Sequence, residues 1–257
     1  MDPQHTSLNQ QRVVVTGGSS GLGLGLVEAL VEAGAQVTVV ARDADRLDAV
    51  HRRLGVATVP ADVTDAAAAA AILCELRPQI LVLNAGAKPR MGPLHELTWE
   101  EFSATWDTDV KAGLAWLQAV LRLPLLPGSR VLVGSSGAAQ NGSPLSGGYA
   151  GAKRMLWMMA SYASGIARDQ RLGIQFQTIV PLQMLGGTGV GDAGAAAYAG
   201  RMGIEPAAFL ARFGAPLSPR QFGDHVVAVL TDARYAAATA LGIKGDTGVT
   251  ILDGAAA

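Results

Sequence analysis

Apolar residues recur along the chain in short uninterrupted blocks, separated by longer segments with helical spacing. Arg12 to Thr16, Gln36 to Val40, Ala57 to Pro60, Ile80 to Asn84, Arg130 to Ser135, Gln175 to Val180 and Gly248 to Leu252 are each of strand length. The first two flank Leu22 to Ala33, whose apolar positions repeat as on a helix, with Gly34 as its stop. A strand, helix, strand unit joins parallel strands by a right-handed crossover. Its repetition predicts an α/β fold: a doubly wound parallel sheet covered by helices on both faces, three layers in one domain. Such sheets bind ligands beyond the carboxyl ends of their strands, where strand order reverses, so residues just after the strands are the candidates for a site.

The pattern loosens at two places. Met1 to Gln11 is polar and reads as a flexible lead-in to a domain spanning residues 12–257. Residues 182–219 are rich in Gly and Ala, with Pro206, Pro216 and Pro219 near the end, and read as a mobile loop carrying one or two short helices. That loop is expected to be a lid over a substrate site, with an oligomer contact as the alternative.

Composition narrows the class. The chain has 257 residues, 49% apolar and 16% charged, enough for one sizeable core. A formal net charge of −1 without a Lys or Arg run argues against nucleic-acid binding and for a small ligand. Cys74 has no partner for an intrachain disulfide, and His5, His51, His95 and His225 lack ligand spacing, so no metal is expected. No signal-like apolar core opens the chain, and no segment offers about 18 uninterrupted apolar residues, so a soluble cytoplasmic protein with no membrane partner is expected.

The chemistry begins at Thr16-Gly17-Gly18-Ser19-Ser20-Gly21-Leu22-Gly23, between the first strand and the first helix. Backbone N–H groups and the helix dipole favour an anion there. Gly17 suits a tight turn, Gly21 a close approach to a pyrophosphate, and Gly23 close helix-to-sheet packing. Farther on, Tyr149 and Lys153 form YxxxK, an i, i+4 pair on one helix face, a short way downstream of Ser136. Carbonyl reduction needs a hydride and a proton, and a phenol that titrates near pH 10 is a poor acid at neutrality. A cation about 4 Å away contributes about 4 kcal/mol at an effective dielectric of 20, roughly three pH units, which is the part Lys153 is expected to play for Tyr149.

TGGSSGLG, Asn84-Ala85-Gly86 and the Ser136, Tyr149, Lys153 spacing together resemble the single-domain branch of the short-chain dehydrogenase/reductase family along nearly the whole chain. The resemblance implies a Rossmann-type fold and an NAD(P)-dependent oxidoreductase acting on a carbonyl or secondary alcohol. It implies cofactor contacts at Gly17, Ser19, Ser20, Gly21, Leu22 and Gly23, at Asp62 and Val63 beside the adenine, at Asn84, Ala85 and Gly86, and at Pro181. Tyr149 is implied as acid and base, Lys153 as its partner and a ribose ligand, and Ser136, with Ser135 as the adjacent alternative, as the group that orients the carbonyl. A homodimer or homotetramer is implied as well.

Cofactor choice is expected just after the second strand, at Val40-Ala41-Arg42-Asp43. Arg42 stands where a basic residue accommodates a 2′-phosphate, which favours NADP(H); Asp43 as a ribose-binding acid is the NAD(H) alternative. Ser20 replaces the second basic residue of many NADP-binding relatives. Two further positions depart from the family. Asp109 stands where relatives carry Asn, whose main-chain carbonyl helps hold a relay water. Pro181-Leu182-Gln183-Met184 replaces the usual Pro-Gly and following Thr, so Gln183 and Met184 are expected in the substrate pocket. These departures keep a second class open, a cofactor-binding sensor or scaffold with little catalysis. A third is an isomerase or dehydratase on the same fold, which the glycine spacing and length disfavour.

Overall fold

A computed structural model of the chain describes residues 7–185 and 187–252. The chain alternates strand and helix as the apolar pattern requires. In order these are β1 (Arg12–Thr16), α1 (Gly21–Glu32), β2 (Gln36–Ala41), α2 (Ala44–Leu54), β3 (Ala57–Pro60), α3 (Ala66–Leu76) and β4 (Ile80–Leu83). Then come α4 (Trp99–Thr105), a π-helical turn (Trp106–Val110), α5 (Lys111–Arg122), β5 (Arg130–Gly134), α6 (Ala138–Asn141), α7 (Tyr149–Asp169) and β6 (Gln175–Pro181). The remainder comprises α8 (Gly189–Met202), α9 (Pro206–Leu210), α10 (Pro219–Thr231), β7 (Ala240–Lys244) and β8 (Gly248–Ile251).

The strands form one sheet in the order β3-β2-β1-β4-β5-β6-β7-β8. All pairs are parallel except β7 with β8. Order reverses between β1 and β4, which opens a crevice above their carboxyl ends. Along each strand successive side chains point to opposite faces. Val13, Val15, Val37 and Val39 meet Leu26 and Leu30 of α1, Leu47 of α2 and Phe222 and Val226 of α10. Val14, Val40, Leu81 and Val131 meet Ile72 of α3, Trp116 of α5 and Leu156 of α7. Three layers in one domain therefore follow from strands that are apolar on both faces.

Helix α1, whose start faces the crevice, is held by α10. A Cβ on Gly25 would lie 2.0 Å from the Pro219 carbonyl oxygen, and one on Gly223 would lie 2.3 Å from that of Gly25. Glycine at both positions lets the two backbones meet, which fixes the position of the α1 amino end. Arg130 ties the sheet to the other end of α10, donating to the Leu230 carbonyl at 2.9 Å and the Val229 carbonyl at 3.1 Å.

Three expectations change. The sheet is not wholly parallel, because β7, which the apolar pattern did not reveal, lies between β6 and the antiparallel β8. The stretch 182–219 holds the 14-residue helix α8 rather than short helices alone: Thr188 accepts from Gly191 N–H at its start, and Ala195 and Ala199 pack on Phe209 of α9. Residues 7–11 of the expected flexible lead-in are packed, with Leu8 in the core and Gln10 N–H donating to the Gly34 carbonyl at 2.9 Å. No helix among the described residues is long and apolar enough to cross a membrane.

Candidate active site

A cleft of about 730 Å³ lies above the crevice between β1 and β4. One half is the turn from β1 into α1. Gly17 has φ +68°, a left-handed conformation that glycine adopts without strain, and a Cβ there would lie 2.6 Å from Ala85 Cα. Behind the turn, a Cβ on Gly23 would lie 2.2 Å from the Gly17 carbonyl oxygen and 2.5 Å from Asn84 Nδ2. Crowding by the turn and by Asn84, rather than by the sheet, is what demands glycine there. The space over Gly21 is open to the cleft, its nearest neighbour being the Thr188 methyl group at 3.6 Å from a built Cβ. Ser20 precedes α1 without capping it, and no acidic side chain stands in its first turn. The first amides of α1 therefore face the cleft without a side-chain partner, which suits the phosphates of a dinucleotide.

Thr16 locks this half together. Its hydroxyl accepts from the N–H groups of Asn84 at 3.1 Å and Ala85 at 3.2 Å, and donates to the Val82 carbonyl at 3.3 Å. Asn84 Nδ2 reaches the Gly17 carbonyl at 3.4 Å. Ser19, Ser20, Leu22, Val63, Ala85 and Gly86 line the cleft. Asp62 lies outside its lining and accepts from the Thr64 N–H and hydroxyl; those two hydrogen bonds, foremost the one from the backbone, hold its carboxyl below the usual aspartate range.

At the end of β2, Arg42, Asp43 and Arg46 border the cleft. Asp43 caps α2, accepting from the Arg46 N–H at 3.1 Å, and pairs with Arg46 Nε at 3.1 Å. Its carboxylate is thus engaged by its own helix. Arg46 was not read from the sequence, although its place one turn into α2 was available as a signal.

The other half carries Ser136, Tyr149, Lys153 and Asp109. Ser135 and Ser136 both follow the last residue of β5, so strand alternation does not separate them. Both line the cleft, and their hydrogen bonds differ: the buried Ser135 donates to the Lys153 carbonyl at 2.8 Å, whereas the Ser136 hydroxyl accepts from Ala138 N–H at 3.3 Å. Lys153 Nζ lies 5.7 Å from the Tyr149 ring centre and 2.9 Å from Asp109 Oδ2. Asp109 Oδ1 accepts from Ala87 N–H at 2.7 Å. Burial pulls the Lys153 ammonium down, but the charges of Asp109 and Tyr149 outweigh it and hold Lys153 above the ordinary lysine range.

The segment after β6 takes a path of its own. Leu182 N–H donates to the Ile243 carbonyl, extending the ladder, and its side chain fits because residue 242 is glycine, whose Cβ would lie 2.5 Å from Leu182 Cδ1. Pro181 and Gln183 line the cleft, but the Gln183 amide is spent on the Ala215 carbonyl and the Gly245 N–H. Met184 packs beneath α8 and α9 and is absent from the lining. Thr188, farther along the chain from Pro181, borders the cleft as the cap of α8, opposite Gly21. Asp253 and Gly254 lie outside the described residues.

The loop before Tyr149 is clamped from both sides. Trp106 Nε1 donates to the Gly148 carbonyl at 3.0 Å. Tyr198 of α8 hydrogen-bonds Ser143, and its oxygen accepts from Leu145 N–H at 3.3 Å. Tyr198→Phe is expected to speed hydrogen exchange at Leu145 while lowering global stability by about 1 kcal/mol. Unchanged exchange at Leu145 would show that Tyr198 does not restrain this loop.

A family model described as short chain dehydrogenase matches residues 11–188. The chain is 37% identical over 150 residues to the short chain dehydrogenase/reductase AacuD of Aspergillus aculeatus, covering 55% of this chain and 53% of that protein. It is 34% identical over 113 residues to L-xylulose reductase of Homo sapiens, covering 44% and 46%. The chain thus spans about half the length of these curated relatives. The Pseudomonas aeruginosa RhlG/NADP active-site complex shares the fold, with a TM-score of 0.77 at 24% identity over 95% of this chain and 98% of that one. A blue fluorescent protein from a metagenomic library, solved in complex with NADPH, gives 0.74 at 25% identity over 93% and 98%. With the family model matched over most of the sequence and the fold shared along nearly all of it, the chain belongs to the short chain dehydrogenase family.

Proposed function

We propose that the chain is an NADP(H)-dependent oxidoreductase that interconverts a small-molecule carbonyl and a secondary alcohol, with Tyr149 as acid and base. The observation that carries this reading is the single cleft in which the unpartnered amides of α1 face the same space as Ser136, Tyr149 and Lys153. The α1 turn, Val63, Asn84, Ala85, Gly86 and Pro181 would hold the dinucleotide, and the nicotinamide, when bound, supplies or takes up the hydride. Ser136 orients the carbonyl oxygen. Tyr149 gives that oxygen a proton in reduction and takes it back in oxidation, while the Lys153 ammonium favours the phenolate and its N–H groups reach for the ribose. Tyr149→Phe is expected to lower turnover of a responsive ketone by about 10²- to 10⁴-fold with cofactor affinity retained. Full turnover in that variant would remove Tyr149 from the role given.

The preference for NADP(H) over NAD(H) rests on Arg42. Capping of α2 engages Asp43, the competing ribose acid, and leaves Arg42 as an exposed cation at that end of the cleft with Arg46 beside it. A guanidinium hydrogen-bonded to a phosphate contributes enough that Arg42→Ala is expected to weaken NADPH binding roughly ten- to hundredfold. NADH binding should be unchanged, as read by cofactor fluorescence. Equal NADPH affinity in both proteins would defeat the assignment.

A homodimer or homotetramer belongs to the same proposal. Met158, Tyr162 and Ile166 form an i, i+4, i+8 stripe on α7 and are 38%, 55% and 41% exposed, more than a solitary domain ordinarily leaves to water in one row. Sedimentation should show an oligomer at micromolar concentration that Tyr162→Glu dissociates; a native monomer would end this part of the reading.

A further inference from the structure

The Asp109 side chain is fully buried and that of Lys153 is 9% exposed. A buried ammonium without a counter-charge gives up its proton, since loss of hydration disfavours the charged form by up to several pH units. Asp109 occupies the π-helical turn, and its carboxylate is held on one oxygen by Ala87 N–H and faces Lys153 with the other. Gly86 makes this possible, because a Cβ there would lie 2.8 Å from Asp109 Oδ2.

Other charges stand apart from the pair. Asp107, on the same turn, accepts from the Ser103 hydroxyl. Lys111 lies at the start of α5, and Glu101 of α4 pairs with Arg90. Lys88 borders the cleft from the segment after β4, and Arg42, Asp43 and Arg46 from the end of β2. β5 and β6 reach the cleft only through Gly134, Ile179 and Pro181, all uncharged.

We propose that Asp109 is a positioning residue, the buried counter-ion that keeps Lys153 protonated beside Tyr149, so that acid–base chemistry is carried by an Asp109–Lys153–Tyr149 unit. The chemistry rests on the oxidoreductase reading, but the charge pair is tested without cofactor or turnover. A neutral Asn at this position provides no opposing charge, whereas the Asp109 carboxylate lies 2.9 Å from Lys153 Nζ.

The test is the pH dependence of the urea midpoint of the full cofactor-free chain, native against Asp109→Asn. In the native protein Lys153 binds its proton more tightly folded than unfolded. Its contribution is complete below the ordinary lysine value and is lost only as pH rises through the higher folded value. In Asp109→Asn the largest contribution opposing burial is gone and Tyr149 alone does not offset it, so the folded chain releases the proton first. The unfolded chain then binds more protons, and stability rises with pH across about pH 8 to 10. A variant curve parallel to the native one would overturn the proposal. Where Asp109→Asn alone does not fold, Lys153→Met and the Asp109→Asn, Lys153→Met double variant decide. Adding Asp109→Asn to Lys153→Met is expected to restore stability by removing an unpaired buried carboxylate; a double variant no more stable than Lys153→Met would refute the pair. Failure of the oxidoreductase reading appears separately, as absent turnover in native protein with the pH slope intact.

Discussion

Two strand ends meet at the hydroxyl of Thr16, and the geometry of the cleft depends on that meeting. Parallel strands leave their last amides and carbonyls without ladder partners, and at the switch point the chain departs in opposite directions on either side. Thr16 takes two amides from the chain after β4 and gives its proton back to β4. The Gly17 N–H meanwhile bonds the Val40 carbonyl of β2. The phosphate turn and the segment Asn84–Gly86 are thereby placed as one surface. Ser135 makes the corresponding tie on the other side, joining the end of β5 to α7 through the Lys153 carbonyl. One hydroxyl positions the half that carries the glycine-rich turn, and the other positions the half that carries Tyr149 and Lys153.

Between those halves sits a pair of opposite charges removed from water. The cost of burying either charge alone is several kcal/mol, and a close partner offsets it. That cost explains why Asp109 is held so fully: a backbone amide takes one oxygen, an ammonium faces the other, and glycine at position 86 leaves room. The π-helical turn that carries Asp109 also presents Trp106 to the loop before Tyr149. The same local irregularity therefore sets the counter-ion and the approach of the chain to the tyrosine, which is consistent with π-turns concentrating where function bends a helix.

The loop-like region between β6 and α10 shows how packing supplies what pattern lacks. Gly and Ala dominate α8, so its sequence carries little amphipathic signal. It becomes a helix because Thr188 caps it, Gly203 ends it in a left-handed conformation, and its alanines press against Phe209. Its first turn then borders the cleft while Tyr198 reaches back to the loop before Tyr149.

The sequence by itself determined the alternation of strand and helix, the two-faced apolar strands, the phosphate turn and the Ser136, Tyr149, Lys153 spacing, because each is a local pattern with a local physical cause. Strand β7 escaped it: Ala240–Lys244 contains a glycine, and pairing with β6 and β8, not its own periodicity, makes it a strand. Tertiary structure alone engaged Ser135 with the Lys153 carbonyl, brought Thr188 to the cleft and turned Met184 away. It also revealed that the Asp109 carboxylate meets Lys153. These outcomes depend on which groups compete for one hydrogen bond or one buried charge across distant parts of the chain, and no spacing along the sequence encodes that competition.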